Sequence, residues 1–305
     1  MKPSITPAIE QDVYQIDKAR VRASFDRAAQ TYDAAAVLQT EVRERMFSRL
    51  DLIKITPEII LDAGCGTGHA SLELGKRYSK SQVISLDIAT SMLKKTAAQY
   101  SAVLRLLGMV KQQAVCADIE QLPIADQSLD MIWSNLAVQW CNDLDLAFTE
   151  SHRVLKPGGL FMFSTFGPDT LKELRQASNV DADYIHVSRF IDMHDIGDAL
   201  VRAGYTAPVL DVERFELTYD DVMGVMRDLK AIGAHNSAQG RRRGLQGRGF
   251  LQKLTQAYEQ FRQGSKEDGG KLPATFEVVY AHAWKPEPKP HFDDGVAPIT
   301  FRPRS

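Results

Sequence analysis

A glycine-rich turn and two aspartates carry the most specific chemical signal in the chain. Ile60-Leu61-Asp62-Ala63-Gly64-Cys65-Gly66-Thr67-Gly68 reads as a short apolar strand entering a turn with glycine at alternate positions, before a helix. Glycine there opens backbone conformations closed to other residues, so the chain can lie against a ligand with its amides aimed at it. A dinucleotide fingerprint requires glycine at the first, third and sixth loop positions. Those positions hold Gly64, Gly66 and His69, so the match fails at the last. A Walker A loop is excluded too, because no Lys-Ser/Thr pair follows. Asp87 ends the next predicted strand, where a carboxylate can accept hydrogen bonds from both hydroxyls of a ribose, whichever nucleoside carries it. Asp118, followed by Ile119, ends the strand after that.

These residues need a sheet whose strand ends converge. From Ile59 onward, short apolar runs bounded by turn residues alternate with helical periodicity. Strands are expected at Ile59–Ala63, Val83–Leu86, Ala114–Cys116, Leu129–Ser134 and Leu160–Ser164, with helices at Ser71–Tyr78, Thr90–Tyr100 and Leu144–Leu155 between them. That alternation predicts a parallel sheet covered on both faces. Beyond Pro168, helices are expected at Asp169–Ser178 and His194–Ala203, and strands at Val209–Thr218 and Thr275–Trp284. Upstream, Val21, Phe25, Ala28 and Tyr32 mark one helical face, and Val42, Met46 and Leu50 mark another. The expected organisation is an N-terminal helical segment (1–55), an α/β domain (56–284) with a helical cap inserted at 219–274, and an extended or disordered tail (285–305).

Composition narrows the function classes. The 305 residues carry a formal net charge of −2, with 44% hydrophobic and 25% charged residues, which argues against disorder and against a polyanion binder. No run reaches the roughly 18–20 apolar residues that span a bilayer, and the first ten residues lack a signal-peptide core. Cys65, Cys116 and Cys141 have no metal-ligand spacing, so neither a metal site nor a disulfide framework is expected. A monomeric cytoplasmic enzyme or ligand-binding module, with no nucleic-acid or membrane partner, is the expectation.

The glycine turn with Asp87, Asp118, Leu129-Asp130-Met131-Ile132-Trp133-Ser134-Asn135 and Lys156-Pro157-Gly158-Gly159 resembles the ordered motifs of class I S-adenosylmethionine-dependent methyltransferases. The resemblance implies a Rossmann-like, mostly parallel seven-stranded sheet with an N-terminal helical lid and a helical insertion between the last two strands. It places S-adenosylmethionine against Asp62, Ala63, Gly64, Gly66, Gly68, Asp87, Ile88, Met92, Asp118, Ile119 and Asn135, with Phe25 and Tyr32 as lid residues. Ser134-Asn135-Leu136-Ala137-Val138-Gln139-Trp140-Cys141, Phe25-Asp26-Arg27-Ala28-Ala29 with Tyr32-Asp33, Phe166-Gly167-Pro168-Asp169-Thr170-Leu171 and Leu229-Lys230-Ala231-Ile232-Gly233-Ala234 are similar to the biotin-pathway malonyl-acyl-carrier-protein O-methyltransferases (the BioC family). A mitochondrial complex I assembly factor that acts as an arginine hydroxylase shares the phrase around Phe166 to Leu171, and small-molecule (quinone-type) methyltransferases and non-catalytic S-adenosylmethionine-binding assembly factors share the scaffold. The Ser134–Cys141 phrase favours the biotin-pathway family.

That family methylates a free carboxylate on a malonyl thioester. The oxygen is already ionised, so no general base is assigned; alignment and loss of water do the work. Gln139 and Trp140 are the positioning candidates near the transferred methyl, or else packing at a helix start. Lys230, His235 and Asn236 are candidates for holding the substrate carboxylate. Arg241, Arg242, Arg243 and Arg248, in a glycine-rich stretch, would attract an acidic acyl carrier protein.

Overall fold

Large apolar side chains alternate along short strands and divide between two cores, as period two requires. In a computed structural model, described for residues 15–99, 112–178, 190–233, 248–265 and 269–288, Ile60, Met131, Trp133, Leu160 and Met162 point into one cluster. Their neighbours Leu61, Ile132, Phe161 and Phe163 point into the other. The strands are β1 (Ile59–Ala63), β2 (Gln82–Asp87), β3 (Gln112–Cys116), β4 (Leu129–Asn135), β5 (Leu155–Phe166), β6 (Thr206–Tyr219) and β7 (Leu272–Trp284). They form one seven-stranded sheet in the order β3-β2-β1-β4-β5-β7-β6. The first five are parallel, and β7 runs antiparallel to both β5 and β6. The chain moves outward from β1 to β3 and then crosses to β4, so strand order reverses beside β1. Open α/β sheets bind ligands at the carboxyl ends of strands flanking such a point.

The helices are α1 (Lys18–Ala28), α2 (Tyr32–Ala35), α3 (Val37–Leu50), α4 (His69–Arg77), α5 (Thr90–Ala98), α6 (Leu144–Val154), α7 (Lys172–Ser178), α8 (Met193–Arg202), α9 (Val222–Ala231) and α10 (Arg248–Tyr258). On α3, Leu38, Val42, Met46 and Leu50 fall every four residues and are buried; Phe47 stacks on Trp133 of β4 at 4.4 Å between ring centroids. On the opposite face, α6 and α8 bury Phe148, Val154, Ile196 and Leu200.

The structure departs from the expected elements at several points; the helix expected from Asp169 begins only at Lys172, after a turn with Leu171 at φ 53°. Tyr32 does not continue the face of Val21, Phe25 and Ala28: α1 ends at Ala28 and Tyr32 opens α2 after a turn. β5 begins at Leu155 because that residue pairs with Leu129, and a register shift then admits Pro157-Gly158-Gly159 before Leu160 meets Met131. Lys285, assigned to the tail, is tied down: it exchanges backbone bonds with Gly158 and Gly159, and its Nζ donates to the carbonyls of His152 and Leu155. The β6–β7 connection holds α9 and α10, with Tyr258 buried and its hydroxyl donating to the Pro273 carbonyl at 2.9 Å. Among the described residues, no helix is long and apolar enough to cross a membrane.

Candidate active site

At the end of β1 the chain turns through Gly64, Gly66 and Gly68, all at positive φ (79°, 55° and 90°). A Cβ on Gly64 would collide with that of Ala137, so glycine is required there by both conformation and space. The turn's amides do not point outward as expected. Gly64 and Cys65 donate to the Leu86 carbonyl at 2.7 and 2.9 Å, and Gly66 donates to Asp87 at 2.9 Å. The glycines therefore supply room and bind the turn to β2. These three amides are therefore not free for an anion.

Asp87 is the hub of the cleft. One carboxylate oxygen accepts the Gly66 N–H and the other the Ala89 N–H at 2.8 Å, leaving lone pairs on both. Burial raises its pKa to about 6, against the lowering effect of those backbone bonds. Asp62, 1% exposed at the end of β1, accepts a 2.6 Å bond from Ser71, and burial raises its pKa to about 7. A cationic or hydroxyl-bearing ligand would favour the ionised form of each.

An open cleft of about 620 Å³ brings Phe25, Tyr32, Gly64, Asp87, Ile88, Asp118, Ile119, Asn135 and Trp140 together. A smaller hollow beside it, lined by Asp62, Arg43 and His69, shares Tyr32, Gly64 and Asn135. Three polar anchors hold the N-terminal helices over the cleft. Lys18 pairs with Asp118 at 3.0 Å and with Glu120, Asp26 accepts from the Ser91 amide at 2.7 Å, and Asp33 accepts from Thr67 at 2.6 Å. Phe25 meets Trp140 edge-on, with ring centroids 5.4 Å apart. From the cap, Gly233 closes α9 at φ 75°; a Cβ there would sit 3.0 Å from Phe25.

After β4 the chain bends at Leu136, a non-glycine residue at φ 49°. Such a conformation costs energy and is held here by two bonds from the Leu136 amide to Ser164, on its carbonyl and its hydroxyl. The bend carries Ala137 to the cleft and leads into a 3₁₀ turn (Val138–Trp140), on which the two expected positioning residues point about 120° apart. Trp140 lines the cleft, whereas Gln139 lines a neighbouring cavity, donating to the Leu136 carbonyl at 2.6 Å. Asn135 is occupied as a brace: it donates to the Gln39 carbonyl at 3.0 Å and accepts from Ser164 at 2.9 Å.

Other expected residues lie elsewhere. Met92 is 1% exposed and packs with Ala29 and Ala89 beneath Phe25 and Tyr32 instead of lining the cleft. Ala63 is buried, its carbonyl accepting from Ser134 at 2.8 Å, and Gly68 packs against Thr96. Lys230 is exposed near the end of α9 and lines neither cavity. His235, Asn236, Arg241, Arg242 and Arg243, and the side chain of Arg248, lie outside the described residues. Sequence reasoning missed Lys18, Arg43 and Cys141. Burial pushes the Cys141 thiol up to about 12, so it faces the cleft as a neutral group. Among the described residues no cluster could hold a metal ion.

A parallel sheet with an antiparallel seventh strand, a glycine turn after β1 and a buried aspartate ending β2 define a class I S-adenosylmethionine-dependent methyltransferase. The protein family described as "Methyltransferase domain" matches residues 61–163. The YcgJ protein of Bacillus subtilis shares the fold, with a TM-score of 0.55 and 16% identity over 80% of this chain and 98% of that one. The malonyl-[acyl-carrier protein] O-methyltransferase of Methylovorus sp. (strain MP688) is 69% identical, covering 96% of this chain and 98% of the relative. That of Laribacter hongkongensis is 55% identical over 96% and 99%. The chain belongs to the malonyl-[acyl-carrier protein] O-methyltransferase family.

Proposed function

We propose that the protein methylates the free carboxylate of malonyl-acyl carrier protein, forming the malonyl methyl ester that initiates pimeloyl synthesis for biotin. S-Adenosylmethionine supplies a methyl group to the carboxylate oxygen; its carbon–sulfur bond breaks with the electron pair left on sulfur, and no proton moves. In this reading Asp87 accepts the ribose hydroxyls, Asp118 and Ile119 flank the adenine, and Asp62 faces the amino-acid end. Phe25, Tyr32 and Trp140 exclude water from above. Arg241, Arg242, Arg243 and Arg248 draw in the acidic carrier protein.

The observation that carries this choice over a quinone-type acceptor is the chemistry of the wall after β4. The side chains it turns into the cleft are Asn135, Leu136, Ala137, Trp140 and Cys141. None of them accepts a proton at neutral pH, given the raised thiol of Cys141. A phenol-like acceptor would need a base to ionise it, but a carboxylate arrives as the anion. The experiment is to incubate the purified protein with S-adenosylmethionine and malonyl-acyl carrier protein and to weigh the carrier intact. Gain of one CH2 on the malonyl arm is expected; methylation of a dihydroxybenzoquinol in preference to malonyl-acyl carrier protein would contradict the assignment.

A further inference from the structure

We infer that Arg175 holds the substrate's malonyl carboxylate, from the cavity that adjoins the cofactor cleft. This rests on the carboxyl-methylation reading above and names the cation that reading lacks. Gln139 and Trp140 are consecutive, yet they line different hollows. Trp140 faces the cofactor cleft, Gln139 the larger cavity, and Cys141 borders both. The larger cavity lies over the end of β5 and the turn after β4, with Phe163, Thr165 and Arg175 in its wall. An acceptor entering there meets the turn between the two hollows.

Arg175 is set rigidly and incompletely satisfied. Its Nη2 donates to the Pro168 carbonyl at 2.7 Å and to the Thr170 carbonyl at 2.6 Å, both in the turn between β5 and α7. Those two bonds fix the plane of the guanidinium. Its Nε is buried with no acceptor, and among the described residues no carboxylate lies within ion-pair distance of it. A guanidinium carries five N–H donors, and here both bonds leave from one nitrogen. The Nε is closed off from the cavity, so the donor left to a ligand is Nη1, which makes neither bond. Two carboxylates of the same cavity are already engaged as helix caps. Asp143 accepts from the Leu146 amide at 2.9 Å, and Asp192 accepts from the His194 amide at 2.8 Å and contacts the His194 ring. Asp195, also in the cavity wall, lies in the first turn of α8, near that helix's N-terminal amides.

An arginine that has already committed one nitrogen to backbone carbonyls can grip one carboxylate oxygen and leave the other free to attack. The contact also distinguishes substrate from product, because esterification removes the negative charge. It is strongest in the ground state and weakens as charge leaves the oxygen, so it serves binding more than rate. Losing it therefore raises KM while kcat holds or rises.

The test compares wild type, Arg175→Gln and Arg175→Lys for binding of malonyl-acyl carrier protein and of butyryl-acyl carrier protein, which lacks the carboxylate. Wild type is expected to prefer the malonyl form. Arg175→Gln should bind the malonyl form about 10–100-fold more weakly, as for a lost hydrogen bond to a charged group, and leave butyryl binding unchanged. Arg175→Lys should recover much of the preference. S-Adenosylhomocysteine binding, made in the other hollow, should be equal in all three and reports a folded protein. A glutamine variant that keeps the malonyl preference, or that weakens both carriers alike, overturns the role of Arg175 while wild-type activity stands. A wild type that neither methylates nor prefers the malonyl carrier overturns the underlying reading, and this inference with it.

Discussion

Replacing Asp87 by asparagine tests the hub of the cleft with one atom. The aspartate oxygens accept the Gly66 and Ala89 amides at 2.9 and 2.8 Å, and each keeps a lone pair for a ribose hydroxyl. Asparagine retains one acceptor and turns an NH2 group toward an amide donor. One hydrogen bond to a charged acceptor is lost from the ligand, about 1.5–3 kcal/mol, or roughly 10–150-fold in Kd. One backbone amide is also left unsatisfied, which lowers folding stability by about 1–3 kcal/mol, so melting temperature is followed in parallel. The pH dependence gives a second, independent readout. Burial lifts the Asp87 pKa to about 6, above its unfolded value, so its own contribution to stability is present at acid pH and is lost as pH rises through about 6. A ligand that donates hydroxyls favours the ionised form and reverses that loss. S-Adenosylhomocysteine should therefore bind more weakly as pH falls through about 6, and should raise the melting temperature more at alkaline pH than at acid pH. Asp62, raised to about 7, titrates nearby, so the contribution of Asp87 is the difference between wild-type and asparagine profiles. Calorimetric titration across that range is the assay. A Kd within twofold of wild type, or superimposable pH profiles, would refute the assignment.

Gly64→Ala should abolish S-adenosylhomocysteine binding and lower the melting temperature, because its Cβ meets Ala137 at a φ of 79°; calorimetry reads both. Lys18→Met should free Asp118 and Glu120 and speed ligand dissociation a few-fold in stopped-flow traces. The difference should shrink at high salt, because the pair is partly exposed and such pairs are worth about 1 kcal/mol or less. Glutamate at Arg241, Arg242 and Arg243 together should lower kcat/KM for malonyl-acyl carrier protein more than for malonyl-coenzyme A. An equal fall on both would end the docking proposal.

Sequence alone exposed the sheet because its strands are short, apolar and bracketed by glycine and aspartate, and each falls within a residue or a few of its expected place. Asp62, Gly64, Asp87 and Asp118 were legible for the same reason: they sit where strands end. The misplacements have local causes. Tyr32 keeps helical spacing across a turn that interrupts the helix, so periodicity ran through a break it cannot register. Gln139 and Trp140 are adjacent in sequence, and they part because they sit on a single 3₁₀ turn (Val138–Trp140) too short to show a period in the sequence. Met92 carries the same apolar signal whether it touches a ligand or the underside of Phe25. Arg175 was hidden because its significance lies in unused donors and in two carbonyls several residues away, which only the folded chain displays.

The central claim is the identity of the acceptor atom. Transfer of label from methyl-labelled S-adenosylmethionine to malonyl-acyl carrier protein, followed by mild base, reads it directly. Label is expected on the malonyl carrier, released by base as methanol, with none on acetyl-acyl carrier protein. Label that withstands base, or that appears equally on the acetyl carrier, would place the methyl somewhere other than the malonyl carboxylate and contradict it.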